Sequence, residues 1–207
     1  MPFAIVTILI LLFSIVLHEL SHGTMAEYLG DPTAKMAGRL TLNPLKHLDP
    51  IGSVFLPLML ILTGSNVIVG WAKPVPINPL NLKDRKYGSA KVAMAGPAAN
   101  VAVALFFGCL LRFLPLDNLS FGENLGLVFA YIVRINILLT LFNLTPIPPL
   151  DGSHILFSLL PKSFDDLKIF LLRYGFFILL FYIFFLFSYL MPLLDKVSNL
   201  VIGSSFF

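Results

Sequence analysis

His18-Glu19-Leu20-Ser21-His22 places two imidazoles four residues apart at the end of an almost unbroken apolar run. On an α-helix four residues advance about 400°, so the two rings return to one face within about 40° of each other. Both can then reach one metal ion, which is the spacing of the His-Glu-x-x-His metallopeptidase motif. Glu19 stands one step around the helix, near enough to hydrogen-bond a water on that metal and badly aimed to be its ligand. That is the position a general base needs. The chemistry on offer is metal-assisted hydrolysis, set inside an apolar segment.

Two histidines do not complete such a site, because a catalytic zinc ordinarily has three protein ligands and keeps one position for water. The remaining acidic residues mostly sit in evident loops or flanks, as Glu27, Asp31, Asp49, Asp84 and Asp195 do. Asp151 stands apart. It follows an apolar helix directly, within Thr145-Pro146-Ile147-Pro148-Pro149-Leu150-Asp151-Gly152, where the prolines force non-helical backbone. Irregular backbone at membrane depth persists only when buried in protein or facing a water-filled cavity, and an unpaired carboxylate there is costly. Metal coordination removes that cost. His47 lies in a Lys46-His47-Leu48-Asp49 loop and His154 follows Asp151 too closely to share its geometry easily, so both read as non-ligands.

The elements that must position these groups are membrane helices. Of 207 residues, 57% are hydrophobic and 12% charged, against about 25% charged in soluble domains; the mean hydropathy is +0.90. A spanning helix needs about 20 apolar residues, and the windows 3–23, 51–70, 89–111, 124–143 and 169–191 qualify. The expected fold is an all-α polytopic membrane protein, a helical bundle with a short β-hairpin or re-entrant segments between the first helices. One membrane-embedded domain over residues 1–207 is expected, with a core over 1–160 and a C-terminal helix over 165–207. The net charge of +3 is read as membrane topology and attraction to lipid headgroups, so the expected partner is a lipid bilayer and no nucleic acid. Cys109 is the single cysteine and can form no intrachain disulfide. No Lys or Arg precedes residues 2–17 and no clear cleavage site follows, so that run reads as a retained helix rather than a signal peptide. It should end at Gly30-Asp31-Pro32, a left-handed cap followed by a proline stop.

Partial alternation over residues 33–42 fits a short strand or hairpin ending at Asn43-Pro44. Window 51–70 is interrupted by Pro57 and by the turn-forming Thr63-Gly64-Ser65-Asn66, and the stretch from Gly70 to Pro79 holds too many prolines for helix, with Trp71 a plausible interfacial anchor. If Asp151 joins His18 and His22, both ligand-bearing ends lie on one side of the membrane. Helix 124–143 must then run parallel to 3–23, helix 89–111 antiparallel to both, and 51–70 must be a re-entrant hairpin turning near Gly64-Ser65-Asn66. With this hairpin one side holds Lys35, Arg39, Lys46, Lys73, Lys83, Arg85, Lys86, Lys91, Lys162 and Lys168, and the other only Arg112 and Lys196. That asymmetry turns the site toward the cytoplasm and places the chain in the cell membrane. A five-crossing arrangement remains the alternative, and it would divide the same cations seven to five. Arg134, inside window 124–143, is expected to pair with a carbonyl or to snorkel.

The combination of His18-Glu19-x-x-His22, Gly96-Pro97-x-x-Asn100 and Asn143-Leu144-x-Pro146-x-Pro148-x-Leu150-Asp151-Gly152 resembles the site-2 protease family of intramembrane zinc metalloproteases. Gly38-Arg39-Leu40-Thr41-Leu42-Asn43-Pro44 and Gly70-Trp71-Ala72-Lys73-Pro74 further resemble its compact prokaryotic branch, which lacks a PDZ domain. The resemblance implies that His18, His22 and Asp151 bind one zinc ion and that Glu19 activates the attacking water. It also implies that the substrates are membrane-spanning protein segments, locally unwound. Strand 36–42 would hold such a segment by edge pairing, and Asn143 and Asn100 would donate hydrogen bonds to the oxyanion or the substrate backbone. Interhelical hydrogen bonding is the alternative role for both asparagines. A family member that binds membrane segments without cleaving them is the rival to an enzyme.

Overall fold

The computed structural model describes residues 2–55, 59, 62–63, 72–115 and 122–203. Its framework is helical: α1 spans Pro2–Tyr28, α2 Thr33–Met36, α3 Gly88–Phe113, α4 Gly122–Asn143, α5 Asp151–Leu159, α6 Asp165–Phe181 and α7 Met191–Ile202. A π-helical turn at Tyr182–Leu186 and a 3-10 turn at Phe187–Leu190 join α6 to α7. Among the described residues four segments are long and apolar enough to cross a membrane: Ile5–Tyr28, Gly88–Phe113, Gly122–Asn143 and Lys162–Ile202. Ile8, Phe106 and Phe177 are 62%, 60% and 67% exposed on these segments, a surface that suits acyl chains and would aggregate in water. The chain is a multi-pass membrane protein.

Helix α1 stops as its sequence predicts. Gly30 adopts φ 106°, Asp31 N–H donates to Ala26 O and Gly30 N–H to Glu27 O, the paired bonds of a Schellman ending. Side-chain pairs then give the directions of the spans. Ser14 and Asn100 meet, as do His22 and Val92, so α3 is antiparallel to α1. Asn100 meets Asn136 while Phe107 meets Phe129, so α4 runs back parallel to α1. Thr145 meets Tyr182 and Arg134 pairs with Asp195, so the last segment leaves antiparallel to α4. Small residues allow the central helices to approach: Ala104, Ala130, Val133 and Ile137 form a buried cluster with Leu194 and Ile202 of α7. The C-terminal segment is thus part of the core at its far end.

Both the end of α1 and the approach to α3 lie at the site-bearing end, because Lys83 N–H donates to Leu29 O at 2.9 Å. The intervening chain therefore begins and ends on one side, as the re-entrant reading of 51–70 requires. The expected turn at Gly64-Ser65-Asn66 and the anchor Trp71 fall outside the described residues.

The expected strand over 33–42 is corrected. Asp31 Oδ1 accepts the N–H and the hydroxyl of Thr33 and starts a helical turn, α2. Gly38, at φ 63°, ends that turn, with Arg39 N–H donating to Ala34 O. A capped helical turn with an αL stop outweighs a two-residue alternation that has no partner strand. Among the described residues the extended pairing amounts to one antiparallel bridge, Leu48 with Ala72.

What replaces a hairpin is an extended strap, residues 72–79, tied down at both ends. At one end Arg39 Nη2 donates to Lys73 O at 2.6 Å and Lys73 N–H donates to the carbonyl of His47, itself buried with Nε2 donating to Thr41 O. At the other end the buried Asp31 accepts from Asn78 N–H at 2.6 Å and from Asn81 Nδ2 at 2.9 Å. Burial alone would raise the pKa of Asp31; the hydrogen bonds from Thr33, Asn81 and Asn78 outweigh it and hold the carboxyl below its ordinary range. Such a depressed group contributes stability fully above its unfolded pKa and loses it as pH falls through the folded value. Asp31→Ala is accordingly expected to cost about 2–3 kcal/mol at neutral pH by stranding buried donors. Thermal unfolding in detergent checks this, and the gap between wild type and variant should close as the pH drops below the ordinary carboxylate range.

Candidate metal centre

His18 lies ten residues before the end of α1, about 15 Å along the helix axis, so both imidazoles sit well inside the span. Helical periodicity presents them to α3, where Gly96 leaves them room. A Cβ at Gly96 would collide with His22 Nε2, and would stand 2.6 Å from His18 Cε1. Asp151 arrives from the other side as the first residue of α5, delivered by the proline-broken loop that follows α4.

The three ligand atoms converge. His18 Nε2 and His22 Nε2 are 3.0 Å apart, and Asp151 Oδ2 lies 3.1 Å from the first and 3.3 Å from the second. His22 Nδ1 donates to the carbonyl of Val92 at 2.7 Å, and His18 Nδ1 donates to Asn100 Oδ1 at 2.6 Å. A backbone carbonyl only accepts, so His22 carries a proton on Nδ1, and in the neutral ring the lone pair is on Nε2; the Asn100 contact gives the neutral His18 ring the same tautomer. With both rings neutral, three lone-pair atoms face one point, and the contacts of Asp151 Oδ2 are the two imidazole nitrogens. That donor set repels itself unless a cation sits among it. Ligands at the ~2.0–2.1 Å typical of zinc on nitrogen or oxygen are ~3.3 Å apart in a tetrahedron, so the separations fit. Among the described residues this is the only such group of histidine, cysteine or acidic side chains.

Glu19 points into the same cleft of about 360 Å³, with one carboxylate oxygen, Oε2, accepting the N–H of Val75 at 2.8 Å. The cleft is bounded by α1, by Val92 and Ala93 of α3, by Pro74, Val75 and Ile77 of the strap, and by Asn143, Pro149 and Asp151. Asn143 donates to Leu139 O at 2.9 Å and keeps its side chain on the cleft wall. His154 is also on that wall, exposed and away from the ligand atoms. Asn100 is placed differently from an oxyanion donor: it is fully buried and its Oδ1 is turned to His18. Arg134 pairs with Asp195, a residue that reads as a simple flank in sequence. Val75 and Val92 act through main-chain atoms, for which no side-chain signal exists.

Fold and site together define a multi-pass membrane protein with two histidines and one carboxylate grouped as they would be to hold a metal ion, and an adjacent glutamate. The pattern of Peptidase family M50 matches residues 120–182. The chain is 37% identical over 167 residues to "Putative zinc metalloprotease YwhC" of Bacillus subtilis, covering 79% of this chain and 71% of that protein. It is 33% identical over 145 residues to a protein of the same description, Rip2 of Mycolicibacterium smegmatis, covering 68% of this chain and 52% of the relative. A third of the chain is 41% identical to MJ0611 of Methanocaldococcus jannaschii. No solved structure matches. The chain belongs to peptidase family M50, the site-2 protease family.

Gly96 gives the sharpest test of the close approach. Gly96→Ala is expected to push the imidazoles apart and lower zinc affinity about 10-fold or more, read by competition with a chromogenic chelator.

Proposed function

We propose that this chain is an intramembrane zinc metalloendopeptidase that hydrolyses peptide bonds in or near transmembrane segments of membrane proteins. One zinc ion per chain would be held by His18 Nε2, His22 Nε2 and Asp151 Oδ2. One observation carries the reading: three lone-pair atoms converge within 3.3 Å of one another, beside Glu19, in a cleft walled by helices long enough to cross a membrane. When bound, zinc would polarise the scissile carbonyl and make an attacking water acidic near neutral pH.

Glu19 is the general base. The Val75 N–H holds Oε2 at 2.8 Å, which fixes the carboxylate plane and leaves Oε1 to take the proton from the attacking water and later deliver it to the leaving amine. Asn143 uses one amide hydrogen on Leu139 O; the other is available to the carbonyl oxygen as negative charge develops there. Asp151 and the two histidines contribute their geometry and a net charge of minus one, which partly offsets the dication. A substrate must open locally before its peptide bond can enter, because a helical carbonyl is already hydrogen-bonded and shielded by side chains. Lys83 and Lys91 near the site end of the bundle, and Arg112 at the opposite end, support a cytoplasm-facing site in the cell membrane.

Cleavage of a membrane-embedded substrate by the purified protein tests this. Glu19→Gln is expected to keep about one zinc per chain and lose cleavage by at least ~100-fold; undiminished cleavage by that variant would sink the mechanism.

A further inference from the structure

The two ligand histidines are oriented by different means, and only one of them needs help. His22 leans on the main-chain carbonyl of Val92, an acceptor that cannot become a donor. His18 leans on a primary amide, Asn100, which can. Turned over by 180°, that amide would present its NH2 group to Nδ1. The His18 proton would then have to sit on Nε2, 3.1 Å from Asp151 Oδ2, and the imidazole would hydrogen-bond to the carboxylate and offer no lone pair to a metal.

The amide is held by a chain of bonds with one consistent direction. Asn136 Nδ2 donates to the backbone carbonyl of Ile132 at 2.8 Å and to Ser14 Oγ at 2.9 Å. The carbonyl can only accept, so the Asn136 amide has one orientation, with Oδ1 toward Asn100. Asn100 Nδ2 donates to that Oδ1 at 2.8 Å and to Ser14 O at 3.4 Å. Its own Oδ1 is therefore the atom that meets His18. Asn100 and Asn136 are 0% exposed and Ser14 4%, so no water competes for these bonds. Three helices contribute to the chain, and it ends on the ligand.

We propose that Asn136 and Ser14 are positioning residues for the metal centre: they lock the Asn100 amide, and through it the His18 tautomer whose Nε2 can bind a cation. The inference rests on the metal site proposed above. It accounts for polar groups on α1 and α4 that touch neither the cleft nor Glu19, and it gives Asn100 a place in the site without contact to substrate.

Zinc affinity of the detergent-purified protein, measured by chelator competition beside the thermal unfolding of the metal-free protein, decides it. Asn136→Leu is expected to weaken zinc binding about 10- to 100-fold. Asn136→Asp keeps an acceptor against Asn100 Nδ2 and is expected to stay within about threefold of wild type. A merely structural role predicts the opposite order, since a buried carboxylate disrupts a helix interface more than leucine does. If Asn136→Leu does not yield folded protein, Ser14→Ala, which removes one hydroxyl, should still weaken zinc binding at least about threefold. Wild-type affinity in whichever of these two variants folds, with binding abolished by His22→Ala, would overturn the positioning role alone. Wild-type protein that binds no zinc, or binds it equally after His22→Ala, would bring down the metal site and this inference with it.

Discussion

A group in a bilayer can offer a lone pair to a cation only when its other polar atoms are satisfied without water. As the proposed ligands, His18, His22 and Asp151 impose that condition on the molecule. Each imidazole needs an acceptor behind it, and both acceptors come from α3, as Val92 O and Asn100 Oδ1. α3 can supply them only by packing close against α1, which Gly96 permits. Asp151 must come from a helix end on the same side, which forces α4 to run parallel to α1. The antiparallel α3 between them is then a geometric necessity, and the closed, small-residue contacts around Ala104 and Ala130 follow from it.

The strap solves a second problem with main-chain atoms. Glu19 is a carboxylate on a spanning helix, and its hydrogen-bond donor is a backbone N–H from residue 75. A backbone donor is compact and carries no charge, so it orients the carboxylate without neutralising it as Lys or Arg would. The anchors of the strap are correspondingly strong: a buried guanidinium on carbonyls at one end and a buried carboxylate collecting donors at the other. Arg39, His47 and Asp31 do no chemistry in the cleft, yet the placement of Val75 depends on them.

Much of this was legible in the chain itself. Four-residue spacing put His18 and His22 on one face, the cost of an isolated carboxylate singled out Asp151, and joining the two gave the directions of α1, α3 and α4 that the structure has. The strand expected over 33–42 gives way to a helical turn whose marks are also in the sequence, Asp31 two residues before Thr33 and Gly38 after Met36. Asp31 and His47 read as loop residues and Arg39 as part of a strand, because main-chain partners such as Asn78 N–H, Thr41 O and Lys73 O leave no trace in residue type. Asp195 was missed for the opposite reason, since its partner Arg134 is distant in sequence and each residue alone fits a simpler role. Asn100 is legible as part of a motif, but spacing cannot say whether its amide faces the cleft or the His18 ring.

The prolines of the strap have a consequence for the resting protein. Pro74, Pro76 and Pro79 have no N–H, and the donor of Val75 is already bound to Glu19. Along this wall few main-chain donors are left to satisfy. A cleft among membrane helices is penalised for every main-chain donor it leaves unpaired. On the strap side the N–H groups of Lys73, Val75 and Asn78 are all bonded within the protein and three residues have none, so an open cleft there strands few donors and costs the fold little.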